Sequence, residues 1–548
     1  MTLSAISVTP KVAAAAPRGL DSSNGTAPDP NLSKAELKAL VKEESKFSEF
    51  LVVLDDQATR EVEAAFKMPV GVERRQYVAK TLIDNTIKTQ GPLWKVLDGL
   101  KDTGHVSAVR GYTPLWIQNA IVVYGDDEAM SMMSGLAGVA QAIKSATHVL
   151  DDPNRFREQL AGIEDAANGA NELLADLPAD VDVPAAKIKG GTDAAPAKNP
   201  LDTDPQWNLT RLNVKQANEV DKLTGKGVTV GIIDTGTDFT HPSLLSHYRG
   251  YDPVTGQINN DGNWWDTTPA HSPVPVDEND HGTHTPGTVG GFYNGMQTGV
   301  APDVKFVAAR GLGPQGGSDG MLLSAFQSMV APKVASAGGK RVVALGPDII
   351  NNSWGSTDGT SVSYMHALRN MDAMGIVNFF AAGNDGEAGR GTIGSPGSNP
   401  HIITVGATDR NDKPTSFSSR GPNPLPVENG EPVPFIAMPG ADIRSTVPGG
   451  GFATMSGTSM ATPAAVGVAA LIDQAAEELT GRKFDTTAMK EVLKRAAKDL
   501  ETPGPDDATG YGIVTADGLR PIVAAVAKDL GLMPPAANKP AKEPKAKK

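Results

Sequence analysis

The stretch GVTVGIIDTGTDFTHPSL (227–244) runs a short apolar segment directly into an aspartate and a glycine-containing turn. Its apolar part, VTVGIID (228–234), has the length and the β-branched content of a buried strand. In α/β sheets, functional groups gather at the carboxyl ends of the strands. Aspartate is also a common turn residue, because its side chain accepts hydrogen bonds from nearby backbone amides. Asp234 is therefore a candidate catalytic carboxylate, with a turn-capping role as the alternative.

Similar apolar segments alternate with helical patterns from about residue 207 to residue 530. Strands that are buried on both faces read as continuous apolar runs, and this is typical of a parallel sheet covered by helices. The sequence therefore predicts an α/β domain over 207–530. Its further strands are predicted at VKFVAAR (304–310), DIINNS (348–353), IVNFFAAG (376–383) and IITVGAT (402–408).

A smaller unit is predicted over 34–152, where strands and helices follow each other in a different order. The pattern reads strand, helix, two strands, helix, with THVLD (147–151) as a candidate last strand. This order suits a small ferredoxin-like α+β fold. The other segments are the strands FLVVL (50–54), HVSAVRGY (105–112) and NAIVVY (119–124), and helices over 76–100 and 126–145.

The remaining segments are too polar, or too rich in Ala, Pro and Gly, to form a core of their own. Residues 1–33 predict a disordered lead, and the Lys/Pro-rich residues 531–548 predict a disordered tail. Residues 153–206 combine a candidate helix over 154–177 with a linker rich in Pro, Gly and Ala.

The composition excludes several classes of function. The 548 residues contain 50 Lys+Arg and 63 Asp+Glu, and this net charge of −13 argues against a nucleic-acid partner. The chain has no cysteine, so disulfides, thiolate zinc sites and thiol catalysis are ruled out. No segment reaches the roughly 20 apolar residues that a membrane-spanning helix needs.

The stretch MSGTSMATPAAVGVAALI (455–472) places a serine just before a proline and a long, Ala-rich apolar run. Serine is a favoured helix cap, and proline is tolerated in the first turn, so Ser459 is a candidate cap. A helix N-terminus also offers partial positive charge to a developing oxyanion, which would suit a nucleophile. A nucleophile needs a base and an orienting acid elsewhere in the chain.

The stretch ENDHGTHTPGTVGG (278–291) holds two of the nine histidines, three residues apart. This spacing puts them on neighbouring positions of a helix, so a zinc site is one interpretation. The HEXXH pattern is absent, which favours a general base instead. His281, at the helix start, is the candidate base, and His284 is expected to point into the packing. Pro286 is expected to remove one helical hydrogen bond.

A third motif, NFFAAGNDG (378–386), ends an apolar strand with an asparagine directly after a glycine. A Gly-Asn turn is a common use of this pair. The alternative is that the Asn384 side-chain amide donates a hydrogen bond to an oxyanion.

Together these motifs resemble the subtilisin-like serine proteases, the subtilases. The matching residues are Asp234 in IIDTG, His281 in HGTH, Asn384 in AAGN and Ser459 in GTSMATP. Their order, Asp, His, Ser, separates this family from the trypsin-like order His, Asp, Ser and the α/β-hydrolase order Ser, Asp, His. The stretch NNSWG (351–355) and the N-terminal unit further resemble the bacillopeptidase F-like branch.

The resemblance implies a three-layer subtilisin-like domain with a mostly parallel sheet, preceded by a ferredoxin-like propeptide domain. It implies that Asp234 orients His281, that His281 is the general base for Ser459, and that Asn384 lies in the oxyanion hole. GLGPQGGSDG (311–320) and SWGS (353–356) match the family's two substrate-lining segments. The substrate-binding residues implied are Gly316, Gly317, Ser353, Trp354, Gly355 and Asp385, with Trp354 and Asp385 at the primary pocket.

The same resemblance implies protein or peptide substrates and an N-terminal propeptide that inhibits the enzyme until it is cut, within 178–206. We expect no required cofactor. Calcium is an open question, because Ser243 stands where the family's strong calcium site takes an aspartate. The alternative to an enzyme is a catalytically silent binding protein that keeps the fold.

The start of the chain, MTLSAISVTPKVAAAAPRGL, lacks a basic segment followed by a long apolar core. It therefore predicts no standard export signal. The family resemblance, by contrast, favours an extracellular enzyme. Cytoplasmic storage and non-standard export therefore both stay open.

Overall fold

The computed structural model describes residues 46–102, 108–150, 206–335, 338–427, 430–500 and 503–534. The predicted lead over 1–33, the candidate helix over 154–177 and most of the predicted tail lie outside these residues. Within them, no helix combines the length and apolar character needed to cross a membrane. Short helical segments lie at Thr59–Glu63, Ala64–Lys67, Trp207–Arg211, Gln216–Val220 and Pro242–Leu245.

The N-terminal unit is a four-stranded antiparallel sheet with two helices. Its sheet order is β2-β3-β1-β4, with one helix after β1 and one after β3, which is the ferredoxin-like arrangement. The strands predicted at 50–54 and 119–124 are present, the one predicted at 105–112 forms three to four residues later, at 109–115, and the first helix is longer than predicted. The elements are β1 (Ser48–Leu54), α1 (Val72–Asp102), β2 (Val109–Leu115), β3 (Ala120–Gly125), α2 (Asp127–Ser134) and β4 (Val139–Lys144).

The predicted helix over 126–145 is wrong in its second half. The helix α2 ends at Ser134, Gly135 follows it, and Gly138 takes a φ of +85° that favours glycine. The chain then turns back and pairs with β1, with Phe50 opposite Lys144. Cross-strand pairing therefore overrides the local helix preference. The predicted last strand forms as β5 (Thr147–Leu150), but it lies outside this sheet.

The larger unit is built on a seven-stranded parallel sheet, as predicted. The sheet order is β14-β13-β12-β10-β6-β8-β7. The strands of this unit are β6 (Thr229–Asp234), β7 (Trp264–Asp266), β8 (Lys305–Arg310), β9 (Gly317–Ser318), β10 (Ile349–Asn352), β11 (Trp354–Gly355), β12 (Val377–Ala381), β13 (Ile403–Thr408), β14 (Ile436–Pro439), β15 (Ile443–Val447) and β16 (Gly451–Met455). Three further antiparallel pairs of two-residue strands join 292–293 to 296–297, 333–334 to 340–341 and 497–498 to 513–514.

Helices cover both faces of the parallel sheet, so the fold has three layers. Alternate residues of one strand face opposite cores. Ile232 packs on the face covered by the helix over 458–480, and Ile233 packs on the face covered by the helices over 319–330 and 365–373. The N-terminal unit packs on the second face, where Leu51 and Val122 join the same apolar cluster as Phe326. The helices are α3 (His281–Gly290), α4 (Asp319–Val330), α5 (Met365–Ala373), α6 (Thr458–Thr480), α7 (Thr486–Ala496) and α8 (Leu519–Asp529).

This architecture places the predicted functional residues along one edge of the sheet. Parallel strands deliver their carboxyl ends to the same side. Asp234 ends β6, Ser353 follows β10, and Asn384 lies three residues beyond the end of β12. Two helices begin at this edge, α3 with His281 and α6 with Ser459 as its second residue.

Candidate active site

A buried carboxylate and a buried imidazole meet at the end of β6. His281 Nδ1 lies 2.8 Å from Asp234 Oδ1, and the two side chains are 6% and 0% exposed. The same carboxylate oxygen accepts a hydrogen bond from the backbone amide of Thr235 at 2.7 Å. Because Nδ1 faces a carboxylate, it is the protonated nitrogen, and proton exchange with a reacting group falls to Nε2.

The helix that carries His281 is tied to the strand that carries Asp234 through a further carboxylate. Asp277 accepts a hydrogen bond from Thr235 Oγ1 at 2.9 Å and another from the backbone amide of Thr283 at 2.8 Å. Burial raises the pKa of Asp277, and the nearby charge of Asp234 adds to this rise. Asp277 is not among the residues predicted from the sequence. The available signal was an aspartate just before a helix, where carboxylates cap unpaired amides.

The second histidine of the motif serves the core instead. His284 is completely buried, and its Nε2 lies 3.0 Å from the carbonyl oxygen of Ile443. Burial lowers the pKa of His284 to about 3, and the neighbouring His281 adds to this lowering, so the ring is neutral. The two histidines thus have different partners, a carboxylate and a backbone carbonyl. The helix continues through Pro286 to Gly290.

Ser459 does not cap its helix. The cap position is Gly457, an extended residue whose helix start has no side-chain cap, and Ser459 is the second residue inside the first turn. Its Oγ donates a hydrogen bond to the carbonyl oxygen of Ser353 at 3.1 Å. The hydroxyl therefore lies at the end of β10, at the same sheet edge as Asp234.

The carboxamide of Asn384 is oriented by the same helix start. Its Oδ1 accepts hydrogen bonds from the backbone amide of Thr458 at 2.9 Å and from the Thr458 hydroxyl at 3.1 Å. Because a backbone amide can only donate, this atom is the oxygen, and the Nδ2 amide is the other end of the group. Asn384 thus contacts the residue that directly precedes Ser459 in the chain.

A segment of the N-terminal unit occupies the groove between the two predicted substrate-lining segments. Strand β5 is the middle strand of a three-stranded antiparallel sheet with β9 and β11. On one side His148 lies opposite Gly317, and on the other Leu150 lies opposite Trp354. Gly355 pairs with the residue between them. The two segments named from the sequence therefore hold an extended strand of this same chain.

Glycine is needed at one of these edges. Gly316 has a φ of +91°, and a Cβ there would lie 2.3 Å from the carbonyl oxygen of His148. Any other residue would meet both backbone strain and this clash. The close approach of β5 therefore depends on the glycine that the sequence singled out.

The two residues predicted at the primary pocket have different surroundings. The Trp354 indole is fully buried against His148, with the ring centroids 5.7 Å apart. Asp385 begins a short helical turn, and its backbone amide donates to Ser419 Oγ at 3.1 Å. Burial raises the pKa of Asp385. Their roles at the primary pocket stay predictions.

Ser243, which stands where the family's strong calcium site takes an aspartate, lies in the short helical segment Pro242–Leu245, and calcium binding there stays an open prediction. The backbone amide of Ser243 donates to His241 Nδ1 at 3.0 Å. The nearby carboxylate of Asp238 accepts hydrogen bonds from the Thr240 amide and from the Gly449 amide. Both carboxylate oxygens of Asp238 therefore accept hydrogen bonds from backbone amides. Among the described residues, no three His, Asp or Glu side chains are grouped to hold a metal ion.

A carboxylate–histidine pair and a helix-borne serine thus lie on one edge of a parallel sheet, which is the arrangement expected of a serine hydrolase. Residues 225–512 match the subtilase family. The chain is 30% identical to bacillopeptidase F of Bacillus subtilis, over 91% of this chain and 33% of that protein. It is 31% identical to subtilisin Savinase of Lederbergia lenta, over 57% of this chain and 97% of that protein.

A third relative, the serine protease AprX of Bacillus subtilis, is 32% identical over 57% of this chain and 71% of its own length. The chain thus spans about a third of bacillopeptidase F and nearly all of subtilisin Savinase. It belongs to the subtilase family of serine endopeptidases.

Proposed function

We propose that this chain is a serine endopeptidase made as a zymogen, which hydrolyses peptide bonds through an acyl-enzyme on Ser459. His281 is the general base and Asp234 orients it. The observation that carries this proposal is the buried 2.8 Å contact between His281 Nδ1 and Asp234 Oδ1, at the sheet edge where α6 presents Ser459.

The proposed reaction moves one proton through His281. Nε2 takes the proton of the Ser459 hydroxyl as Oγ attacks the substrate carbonyl, and Asp234 stabilises the imidazolium that forms. The imidazolium then gives its proton to the leaving amine as the C–N bond breaks. Water attacks the acyl-enzyme by the same route and releases the carboxylic acid. Burial of Asp234 strengthens its interaction with the positive ring.

The oxyanion of the tetrahedral intermediate would receive two hydrogen bonds. One comes from the Asn384 Nδ2 amide and the other from the backbone amide of Ser459. The orientation of Asn384 supports this role, because Thr458 holds its oxygen end at 2.9 Å and so presents its donor end to the site. A donor that is fixed before the reaction needs no reorganisation in the transition state.

We infer that substrates bind as an added strand between β9 and β11, since β5 already does so. Backbone pairing of this kind accepts many sequences and leaves selection to side-chain pockets. The occupied groove also supports the zymogen, because β5 excludes other peptides for as long as the N-terminal unit remains in place. Strand β5 runs antiparallel to β11, so its last residue, Leu150, lies opposite Trp354, the neighbour of Ser353, whose carbonyl oxygen accepts the hydrogen bond of Ser459.

Two buried arginines of α1 anchor the N-terminal unit to the catalytic unit. Arg74 Nε donates to the carbonyl oxygen of Ala373 at 2.6 Å, and its Nη1 lies 3.2 Å from Asp485 Oδ2. Arg75 Nη2 lies 3.1 Å from Asp348 Oδ1. Undocking would break both of these ion pairs and the carbonyl contact of Arg74, so these contacts favour a unit that stays docked after cleavage. We therefore propose that the N-terminal unit is the enzyme's own inhibitor.

The experiment that tests the activity is labelling with a fluorophosphonate, which reacts only with an activated serine. We expect wild type to be labelled and Ser459→Ala and His281→Ala to remain unlabelled. Ser459→Ala should also lower kcat on a protein substrate by about six orders of magnitude, as loss of the nucleophile does in subtilisin. An unlabelled, inactive wild type would instead support the silent binding protein.

A further inference from the structure

One side chain of β5, that of His148, is completely buried in the groove. His148 is 0% exposed, and its ring lies edge-on between two aromatic rings. The ring centroids of Trp354 and Tyr364 lie 5.7 Å and 5.2 Å away, at interplanar angles of 73° and 76°. Phe326 packs behind both aromatic rings. The groove therefore contains a slot that accepts a flat ring.

The floor of this slot is a carboxylate. His148 Nε2 lies 2.6 Å from Oδ1 of Asp319, whose side chain is 1% exposed. The other carboxylate oxygen accepts the backbone amide of Ala146 at 3.0 Å. Burial alone raises the pKa of Asp319, but the hydrogen bond and charge of His148 outweigh burial, and the net pKa lies below its ordinary value. Asp319 is therefore a charged acceptor for a donor on the bound strand.

The chemistry of the slot excludes most other side chains. A leucine or phenylalanine would bury Oδ1 of Asp319 without the donor that His148 supplies, which costs more than the hydrogen bond itself contributes. A glutamate or aspartate would place a second negative charge against it. The Tyr364 hydroxyl lies beside the same carboxylate, so the polar end of the slot is confined to one spot. A planar ring that carries an N–H fits between the two aromatic rings and also donates a hydrogen bond to Asp319.

Resting on the proposed strand-like binding of substrates, we propose that Asp319, Trp354 and Tyr364 form a substrate subsite that selects histidine. The selected residue lies two positions before the one that pairs with Trp354, and Asp319 is the residue that determines the preference. Gly317 supports this placement, because it pairs with His148 and fixes the register of the strand over the slot. The enzyme thus cleaves best on the carboxyl side of a short segment that begins with histidine.

The test uses quenched fluorescent peptides of the sequence SATHVLDDPN (145–154), with the position of His148 occupied by histidine, leucine, lysine or glutamate. Self-processed wild type is compared with Asp319→Ala and with the matched control Asp358→Ala. Asp358 is exposed and lies four residues after Trp354 in the chain, and its carboxylate accepts hydrogen bonds from Thr360 of its own loop. For each peptide, kcat/KM for its cleavage is measured. The inhibition constant with which it blocks cleavage of a protein substrate is measured as well.

We expect wild type to prefer the histidine peptide over the leucine peptide by about tenfold or more, as a site built around a hydrogen bond does. In Asp319→Ala the histidine-to-leucine ratio should fall to about one, and in Asp358→Ala it should match wild type. Equal cleavage of both peptides by wild type, or a preference for lysine, would overturn the proposal. So would an unchanged ratio in Asp319→Ala.

The outcomes also separate this proposal from the proposed function. If wild type is not labelled by the fluorophosphonate and cleaves nothing, the proposed function fails. If wild type is labelled and cleaves all four peptides alike, only the subsite fails. If the Asp319→Ala chain does not mature, the histidine-to-leucine ratio of wild type alone tests the subsite. If the peptides bind without being cut, the ratio of their inhibition constants tests it instead.

Discussion

Ser353 and Ser459 exchange two hydrogen bonds, one in each direction. Ser353 Oγ donates to the carbonyl oxygen of Ser459 at 3.0 Å, and Ser459 Oγ donates to the carbonyl oxygen of Ser353 at 3.1 Å. This pair joins the start of α6 to the edge along which β5 lies. The proposed nucleophile and the proposed substrate-binding edge are therefore fixed to each other, so a strand bound at that edge has a defined distance to Ser459.

Processing of the chain follows from this connection. In wild type we expect a first cut shortly after Leu150, where β5 leads toward Ser353, and later trimming to a start within 178–206. Exposed linker segments are the preferred sites of proteolysis. Purified Ser459→Ala should remain full length. A time course of mass spectra and N-terminal sequencing measures both steps, and a full-length wild type with full activity would refute the zymogen.

The oxyanion donor can be separated from a structural asparagine by kinetics. Asn384→Ala should lower kcat by about two to three orders of magnitude with little change in KM, because the hydrogen bond forms mainly in the transition state. Initial rates over a range of substrate concentrations measure both constants. The control Asn411→Ala, at an exposed turn, should match wild type. A raised KM with kcat intact would place Asn384 in substrate binding.

The sequence predicted the parallel sheet and the residues at its edge because both leave local signals. A strand buried on both faces is a continuous apolar run, and Asp234 and Asn384 follow such runs directly. The features that escaped prediction depend on partners far along the chain. Nothing in 139–144 alone shows that it pairs with β1, or that His148 is received by Asp319, 171 residues later.

Gly316 provides a test of the groove itself. Gly316→Val should lower kcat/KM for peptide substrates by at least about tenfold, because its Cβ would point at the carbonyl of the bound strand and its positive φ would be strained. Gly313→Ala is the matched control in the same loop, since a Cβ there meets no atom closer than 3.8 Å. Circular dichroism checks that both variants are folded. Equal activity of the two variants would show that substrates do not pass this edge.

A buried carboxyl group in α6 predicts how stability depends on pH. Asp473 is completely buried beside Asp348, and burial together with that neighbouring charge raises its pKa to about 8. Its Oδ1 accepts the backbone amide of Phe484 at 3.1 Å, while its Oδ2 has no hydrogen-bond partner among the described residues. The folded protein therefore holds a proton on Asp473 that the unfolded chain releases near pH 4.

A raised pKa in the folded state means stability that is fully present below about pH 4 and is lost as the pH rises to about 8. The loss amounts to at most about 1.4 kcal/mol per pH unit. The side chain in Asp473→Asn is neutral at every pH and can keep the hydrogen bond from Phe484. The free energy of unfolding of Asp473→Asn, relative to that of the parent protein, should therefore rise across this window and then level off. Urea unfolding of both forms in the Ser459→Ala background, at several pH values between about 5 and 9, measures the difference. The exposed Asp303→Asn serves as the control and should follow the parent protein at every pH. A constant difference between the parent protein and Asp473→Asn across the window would mean that the carboxyl group is already ionised in the folded protein.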